Sequence, residues 1–224
     1  MSLGEKMKHR WEVTPSEAID IQKSLRKKTV LDDDFGAVEK VAGVDVGFDK
    51  KTGYGRAALA VLRLADLGMV ETAYAELPLR FPYIPGLLSF REIPVILKAL
   101  AKLERPPDLL LCDGQGIAHP RRFGIACHLG LQTDIPAIGV AKTRLVGEHG
   151  AVPNLRGDWT ELVDGDEVIG AVLRTRKNVK PVYVSAGHRI SLAASVEFVM
   201  RCVTRYRLPE TTRQAHRLSL FSKR

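Results

Sequence analysis

Three apolar segments, each rich in Val, Ala and Leu and bounded by Gly or Asp, lie at residues 40–48, 56–65 and 69–79. Such segments are typical of β-strands. Because short connections join them, we expect the three strands to form an antiparallel meander.

Helix signals flank this meander. Thr14-Pro15-Ser16-Glu17 combines a capping threonine, a proline at the first helical position and a glutamate at the third, and predicts a helix over about 14–28. A second helix is predicted over about 90–104. Residues 81–86 between the last strand and this helix are predicted to form a loop, because two prolines and a glycine exclude regular structure.

Short apolar runs alternate with helical segments in the second half of the chain. The run 109–113 ends in Asp113-Gly114 and is typical of a buried parallel strand. The remaining predictions are a short helix near 123–131, strands at 136–141, 167–175 and 181–186, a helix from Ser191 to about Tyr206, and a basic helix over 211–220.

The order of three strands, helix, strand, helix, strand is that of ribonuclease H-like folds. A right-handed crossover would place strand 109–113 beside the first strand. We therefore predict a single α/β domain over 1–224, with a mixed central sheet flanked by helices.

Composition narrows the class of protein. The 224 residues are 45% hydrophobic and 27% charged, which is enough apolar surface for a sizeable core. Without an 18-residue apolar run or an apolar leader, we expect a soluble, cytoplasmic protein with no membrane partner. Three cysteines without a CxxC pair argue against a zinc site or a disulfide framework and favour reduced thiols.

The net charge of +8 is unevenly distributed. Residues 201–224 carry seven Arg or Lys against one acid, Glu210, and form a basic C-terminal tail. Lys and Arg neutralise phosphates and release counterions, so this surplus suggests a nucleic-acid partner. A merely solvated basic surface is the alternative.

Two aspartates stand where apolar strands would bury them. Asp45 interrupts the first strand, and Asp113 ends the strand 109–113. If these strands are neighbours, both carboxylates converge on one edge and repel unless a cation lies between them. Mg²⁺ prefers such oxygen ligands. Turn-forming aspartates before Gly47 and Gly114 are the alternative.

A third acid, Glu92, has a competing interpretation. Ser89-Phe90-Arg91-Glu92 matches a capping box, and its spacing alone favours a capping role for Glu92. Pro94 weakens that interpretation, because a proline inside a helix removes a hydrogen bond.

Three further polar residues and one loop are candidates for contact with nucleic acid. His119 lies in a glycine-bearing loop with Arg121, whose guanidinium suits a phosphate. Lys142 follows the strand 136–141, and His216 lies in the Arg-rich tail; exposed, solvated side chains are the alternative for both. The loop 81–86 is stiffened by prolines and contains two aromatic residues and an isoleucine, so it is either a wedge that enters a base stack or a loop that packs on the core.

Taken together, these segments resemble the endonuclease V family over about 40–216, the predicted catalytic core. Each motif is weak alone, but their occurrence in this order is specific. The matching stretches are Gly43-Val44-Asp45-Val46-Gly47-Phe48, Pro82-Tyr83-Ile84-Pro85-Gly86, Ser89-Phe90-Arg91-Glu92, Asp113-Gly114-Gln115-Gly116, His119-Pro120-Arg121, Gly139-Val140-Ala141-Lys142, Gly187-His188-Arg189, Tyr206-Arg207-Leu208-Pro209-Glu210 and Thr212-Arg213-Gln214-Ala215-His216.

The resemblance implies hydrolysis dependent on Mg²⁺, with Mn²⁺ as a substitute, at the second phosphodiester 3′ to a hypoxanthine base, leaving 3′-OH and 5′-phosphate ends. It implies metal ligation by Asp45, Asp113 and Glu92, with His216 in the same cluster and His119 and Lys142 beside the phosphate. Damaged DNA, duplex or single-stranded, is the implied substrate, and RNA is an open alternative.

The resemblance also implies how the base is bound. Tyr83 becomes the tip of a strand-separating wedge formed with Pro82, Ile84 and Pro85, and Arg121 contacts the nucleic acid. A tight base pocket is expected near Gly86, Leu88, Gly114, Ile125 and Gly139. Two other functions compete: an inosine-specific or structure-selective ribonuclease of the same fold, and a non-catalytic module that binds damaged nucleic acid.

Overall fold

The predicted antiparallel meander is present in the structure, a computed structural model that describes residues 9–220. Its strands are β1 (Lys40–Phe48), β2 (Tyr54–Arg63) and β3 (Met69–Pro78). β2 pairs with β1 on one side and with β3 on the other, both antiparallel. The meander prediction is confirmed, with β2 beginning and ending two residues earlier than expected.

Five further strands extend the meander into one eight-stranded mixed sheet with the order β3-β2-β1-β4-β5-β8-β7-β6. The added strands are β4 (Leu109–Cys112), β5 (Ala137–Ala141), β6 (Trp159–Asp164), β7 (Glu167–Leu173) and β8 (Val182–His188). β1, β4 and β5 run parallel to one another, and the predicted β1–β4 neighbourhood is confirmed. The sequence pattern does not reveal β6, because Leu162 is the single buried residue of this edge strand.

Five α-helices accompany the sheet in the described part of the chain. They are α1 (Pro15–Leu25), α2 (Leu88–Leu100), α3 (Ile125–Thr133), α4 (Leu192–Arg201) and α5 (Glu210–Ser219). The Thr14 capping box of α1 is confirmed, since the Thr14 amide donates to Glu17 at 2.7 Å and the Glu17 amide donates to Thr14 Oγ1 at 3.3 Å. A short 3₁₀ turn, Arg26–Lys28, follows α1.

The capping box expected at Ser89 is wrong. α2 begins at Leu88 with Leu87 as its N-cap, and no side chain caps that end. Ser89 therefore lies inside the first turn, where its hydroxyl pairs with His128 Nδ1 at 3.0 Å. Glu92 consequently has no capping role. The largest differences in helix boundaries are at two C-terminal ends: α2 ends at Leu100 rather than near 104, and α4 ends at Arg201 rather than near Tyr206.

Both faces of the sheet are buried. Successive side chains of β1 point to opposite faces. Ala42 and Val44 lie in the apolar cluster that includes α2 and α3, and Val41 lies in the cluster that includes α4. β4 is buried along its whole length, which explains its uninterrupted apolar run. With helices against a mixed sheet, the fold is α/β and ribonuclease H-like, as predicted.

α5 packs directly onto β1 at two glycines. A Cβ atom built on Gly43 would lie 2.1 Å from the Thr211 carbonyl carbon, and one on Gly47 would lie 2.2 Å from the Ser219 carbonyl oxygen. Any larger residue must push the helix backbone away. These glycines therefore fix how closely α5 approaches Asp45, which lies between them.

Two expectations from composition can be compared with the described residues. All three cysteines are free and buried. Within residues 9–220, no helix has the length and apolar character needed to cross a membrane. Lys223 and Arg224 of the basic tail lie outside the described residues.

We predict that Gly43→Ala destabilises the protein by about 1–3 kcal/mol, the usual cost of overpacking a close contact. Gly36→Ala is the matched control, because no atom lies within 4 Å of its added Cβ. Urea unfolding of both variants measures the difference. Equal unfolding free energies would contradict the close packing of α5 on β1.

Candidate active site

β1 and β4 bring Asp45 and Asp113 to the same edge of the sheet. Val44 and Cys112 are register partners in this parallel pair, and the Asp113 amide donates to the Val44 carbonyl at 3.2 Å. Each aspartate is the next residue along the chain, and the two carboxyl groups are near enough that the charge of Asp45 raises the pKa of Asp113. The convergence expected from the sequence is therefore present.

Glu92 reaches the same edge from α2. Burial, together with the negative charges of Asp45 and Asp113, raises its pKa to about 8. Burial also raises the pKa of Asp113, while the hydrogen bond and charge of Lys142 oppose that shift. Three partly buried carboxyl groups thus share one small volume, and Glu92 and Asp113 hold protons more tightly than exposed acids do.

Helix α5 holds Asp45 from the other side. His216 Nδ1 lies 3.1 Å from Asp45 Oδ2, and Ser219 Oγ lies 2.5 Å from the same oxygen. The sequence analysis missed Ser219. The available signal was its position three residues after His216, which places both side chains on one face of a helix.

Lys142, at the end of β5, pairs with Asp113 through a short hydrogen bond. Its backbone is fixed by Arg207, which donates to the Lys142 carbonyl and to the Pro181 carbonyl, each at 2.7 Å. The Lys142 side chain is still 40% exposed, so it can face a phosphate as well as the carboxylate.

The acidic cluster has the chemistry of an open divalent-cation site. Among residues 9–220, no three His, Cys, Asp or Glu side chains are arranged to hold a metal ion by protein ligands alone. Mg²⁺ does not require such a cage, since it is commonly bound by one or two carboxylates, waters and substrate phosphates. Asp45 and Asp113 supply the oxygen donors. The raised pKa of Glu92 indicates that its ionised form is destabilised by burial and by these two acids, and a bound cation would stabilise that form.

His119 is not brought together with the acids. Its Nε2 lies 2.9 Å from the Gly86 carbonyl, and its Nδ1 accepts from the Arg121 amide at 3.1 Å. Burial and the neighbouring Arg121 lower the His119 pKa to about 4, so the ring is neutral at physiological pH. Both ring nitrogens are occupied within the protein, and the phosphate role of His119 stays a prediction.

The proline-stiffened loop both packs on the core and projects from it. Phe81 is buried and Ile84 packs against its cluster, whereas Tyr83 is 72% exposed. The Leu87 amide donates to the Ile84 carbonyl at 2.9 Å, and Gly86 has a φ of +81°. Proline and then glycine between these two residues form a type II turn, which needs a positive φ at its third residue.

A pocket of about 290 Å³ lies between this loop and the segment after β4. The predicted pocket residues Gly86, Leu88, Gly114 and Ile125 line it, and so do Tyr83, Asp113 and Lys142. Gly139 does not line it. A Cβ there would lie 2.2 Å from the Gly116 amide nitrogen, so this glycine packs against the backbone of residues 114–116. The sequence analysis missed the lining residues Gln22, Gln115, Thr143 and Arg144.

The fold and the acidic edge define the class of protein, a ribonuclease H-like nuclease. The family model of Endonuclease V matches residues 23–217, and the chain belongs to this family of metal-dependent endonucleases. A curated relative from Rippkaea orientalis, named Endonuclease V, is 59% identical over 203 residues, covering 91% of this chain and 89% of the relative.

Solved structures agree with this assignment. The crystal structure of Endonuclease V from Streptomyces avermitilis matches with a TM-score of 0.90 and 42% identity, covering 96% of each chain. Endonuclease V from Ciona intestinalis matches with a TM-score of 0.82 and 29% identity, covering 92% of this chain and 97% of that one. That Ciona protein was crystallised with a 23mer DNA that contains an inosine followed by a ribo-adenosine.

We predict that metal-free Glu92→Gln becomes more stable than the metal-free wild type, by an amount that grows as the pH rises from about 5 to about 8. The unfolded chain ionises near the ordinary glutamate pKa of about 4.3, whereas the folded state keeps its proton until a pKa of about 8. Across that window the unfolded state releases its proton first, so the wild type loses stability as the pH rises. Glutamine cannot ionise and avoids this loss.

Melting temperatures of both proteins, measured in chelator at several pH values, test this expectation. The gap should widen through the window and level off above about pH 8. Parallel profiles would show that Glu92 is not held protonated by the cluster.

Proposed function

We propose that this chain is a Mg²⁺-dependent DNA repair endonuclease that recognises deoxyinosine. It hydrolyses the second phosphodiester bond 3′ to the lesion and leaves 3′-OH and 5′-phosphate ends; Mn²⁺ can replace Mg²⁺. The observation that carries the proposal is the position of Asp113, which belongs both to the acidic cluster and to the rim of the pocket. The inosine in the DNA bound by the Ciona relative supports the choice of base.

Asp45, Asp113 and Glu92 would hold the metal. When bound there, the metal would supply a polarised water as nucleophile and would neutralise charge that develops on the phosphate. His216 and Ser219 orient Asp45 from α5. Lys142 pairs with Asp113 and its side chain is partly exposed, so that it can also pair with a phosphate oxygen of the bound strand. An intact cluster of this kind favours a catalyst over a non-catalytic binding module.

The pocket would receive the lesion base after the base leaves the duplex. Its backbone-rich wall at Gly86, Leu88 and Gly114 suits recognition of a base edge by main-chain groups. Hypoxanthine has a carbonyl where adenine has an amino group, so an amide donor aimed at that position pairs with hypoxanthine only. An unpaired buried donor costs ~1–3 kcal/mol. Tyr83 projects beside the pocket and would fill the space that the base leaves.

RNA is a second candidate substrate. The nucleic acid bound by the Ciona relative carries a ribo-adenosine after the inosine, so that relative binds a ribonucleotide on the 3′ side of the lesion. An RNA-directed enzyme would contact the 2′-hydroxyl groups. Cleavage rates on matched DNA and RNA strands with one inosine distinguish the two.

We predict that Asp45→Ala and Asp113→Ala each abolish nicking of an inosine-containing duplex in Mg²⁺, because each removes an oxygen donor from the acidic edge. Asp20→Ala, at an exposed position of α1, is the control and should keep wild-type turnover. The assay compares nicking in Mg²⁺, Mn²⁺ and chelator, with circular dichroism to confirm folding. Wild-type turnover in either site variant would contradict the metal assignment.

We predict that Tyr83→Ala lowers cleavage efficiency more on duplex than on single-stranded inosine substrates. Base–aromatic stacking contributes ~1–3 kcal/mol, and a single strand needs no separation. Tyr74→Ala removes an exposed tyrosine of β3 outside the pocket and serves as the control. Because the acidic cluster is untouched, more Mg²⁺ should not restore activity to Tyr83→Ala. An equal loss on both substrates would mean that Tyr83 does not separate strands.

A further inference from the structure

Gln22 ties α1 to the outer wall of the base pocket. Its side chain is almost completely buried, at 1% exposure. Its Nε2 donates to the Gly86 carbonyl at 3.0 Å and to the Phe123 carbonyl at 3.1 Å, and its Oε1 accepts from Arg121 Nε at 2.5 Å. One amide group thus joins the N-terminal helix, the wedge loop and the segment after β4.

The peptide that joins Gly86 to Leu87 is held at both ends. The Gly86 carbonyl accepts from three donors: Gln22, His119 Nε2 at 2.9 Å and Arg121 Nη2 at 2.7 Å. At the other end of the same peptide, the Leu87 amide donates to the Ile84 carbonyl. A carbonyl oxygen has two lone pairs, so this one is saturated and cannot accept from a ligand.

Saturation of this carbonyl matters for the choice of base. The 6-amino group of adenine must find an acceptor when it leaves water, whereas the 6-carbonyl of hypoxanthine needs a donor. A carbonyl of the pocket wall turned toward the base would satisfy adenine and so weaken discrimination. Holding that carbonyl toward Gln22, His119 and Arg121 denies adenine this partner.

We propose that Gln22 is a positioning residue for base selection, which helps to keep the Gly86 carbonyl saturated so that the wall offers no acceptor to adenine. The inference rests on the proposed function. It makes α1 part of the recognition machinery, although the helix carries none of the three clustered acids.

The test compares Gln22→Met with Leu25→Ala. Methionine keeps the length of the side chain and removes every hydrogen bond of the amide. Leu25 lies one turn further along α1 in an apolar cluster with Phe123, so its truncation weakens the helix packing without touching Gly86. The readout is the ratio of cleavage at inosine to cleavage at adenosine in otherwise identical single strands, with the Mg²⁺ concentration for half-maximal rate measured in parallel.

For Gln22→Met we expect the inosine-to-adenosine ratio to fall about tenfold, which corresponds to 1.4 kcal/mol. The Mg²⁺ requirement should be unchanged, because the acidic cluster is intact. Leu25→Ala should melt at a lower temperature and keep the wild-type ratio. If Gln22→Met does not fold, Gln22→Glu replaces it; this variant keeps the volume and the acceptor for Arg121 and loses both donors.

A wild-type ratio in the Gln22 variant overturns the inference, and so does an equal fall in Leu25→Ala. Failure of the proposed function gives a different result, since the wild-type protein itself would then show no preference for inosine over adenosine.

Discussion

Asp45, Glu92 and Asp113 repel one another at the edge of the sheet, and much of the surrounding structure compensates for that repulsion. Their burial is costly, because carboxylates lose water there without an equal number of cations to pair with. The pKa of Glu92 is raised to about 8, so in the metal-free protein a proton on Glu92 reduces the repulsion. Lys142 pairs with Asp113, and His216 and Ser219 of α5 contact Asp45.

That constraint explains why α5 must lie close to β1. The helix supplies His216 and Ser219 to Asp45 only if its backbone approaches the strand within contact distance. Gly43 and Gly47 allow this approach on either side of the aspartate. Packing and site geometry are therefore not separate features here, since a methyl group on the strand would move the donors of the carboxylate.

The pocket depends on a second set of buried polar contacts. Gln22, His119 and Arg121 converge on one carbonyl of the turn beside Tyr83. The exposed Tyr83 ring on a rigidly held turn suits insertion between nucleobases, because the loop loses little conformational freedom on binding. The neutral state of His119 fits this interpretation, since its low pKa reflects a buried ring that holds a backbone group.

Local patterns in the sequence determined the meander, the buried strand β4, the capped start of α1 and the convergence of Asp45 and Asp113, because strand periodicity and parallel pairing need only short stretches of chain. The family motifs likewise lie in contiguous segments. Only the tertiary structure decided the role of Ser89, whose spacing to Glu92 imitates a cap but whose hydroxyl pairs with His128. It alone showed Ser219 on Asp45 and Gln22 on Gly86. These contacts join residues far apart in the chain, and no local propensity encodes which distant group a buried side chain will meet.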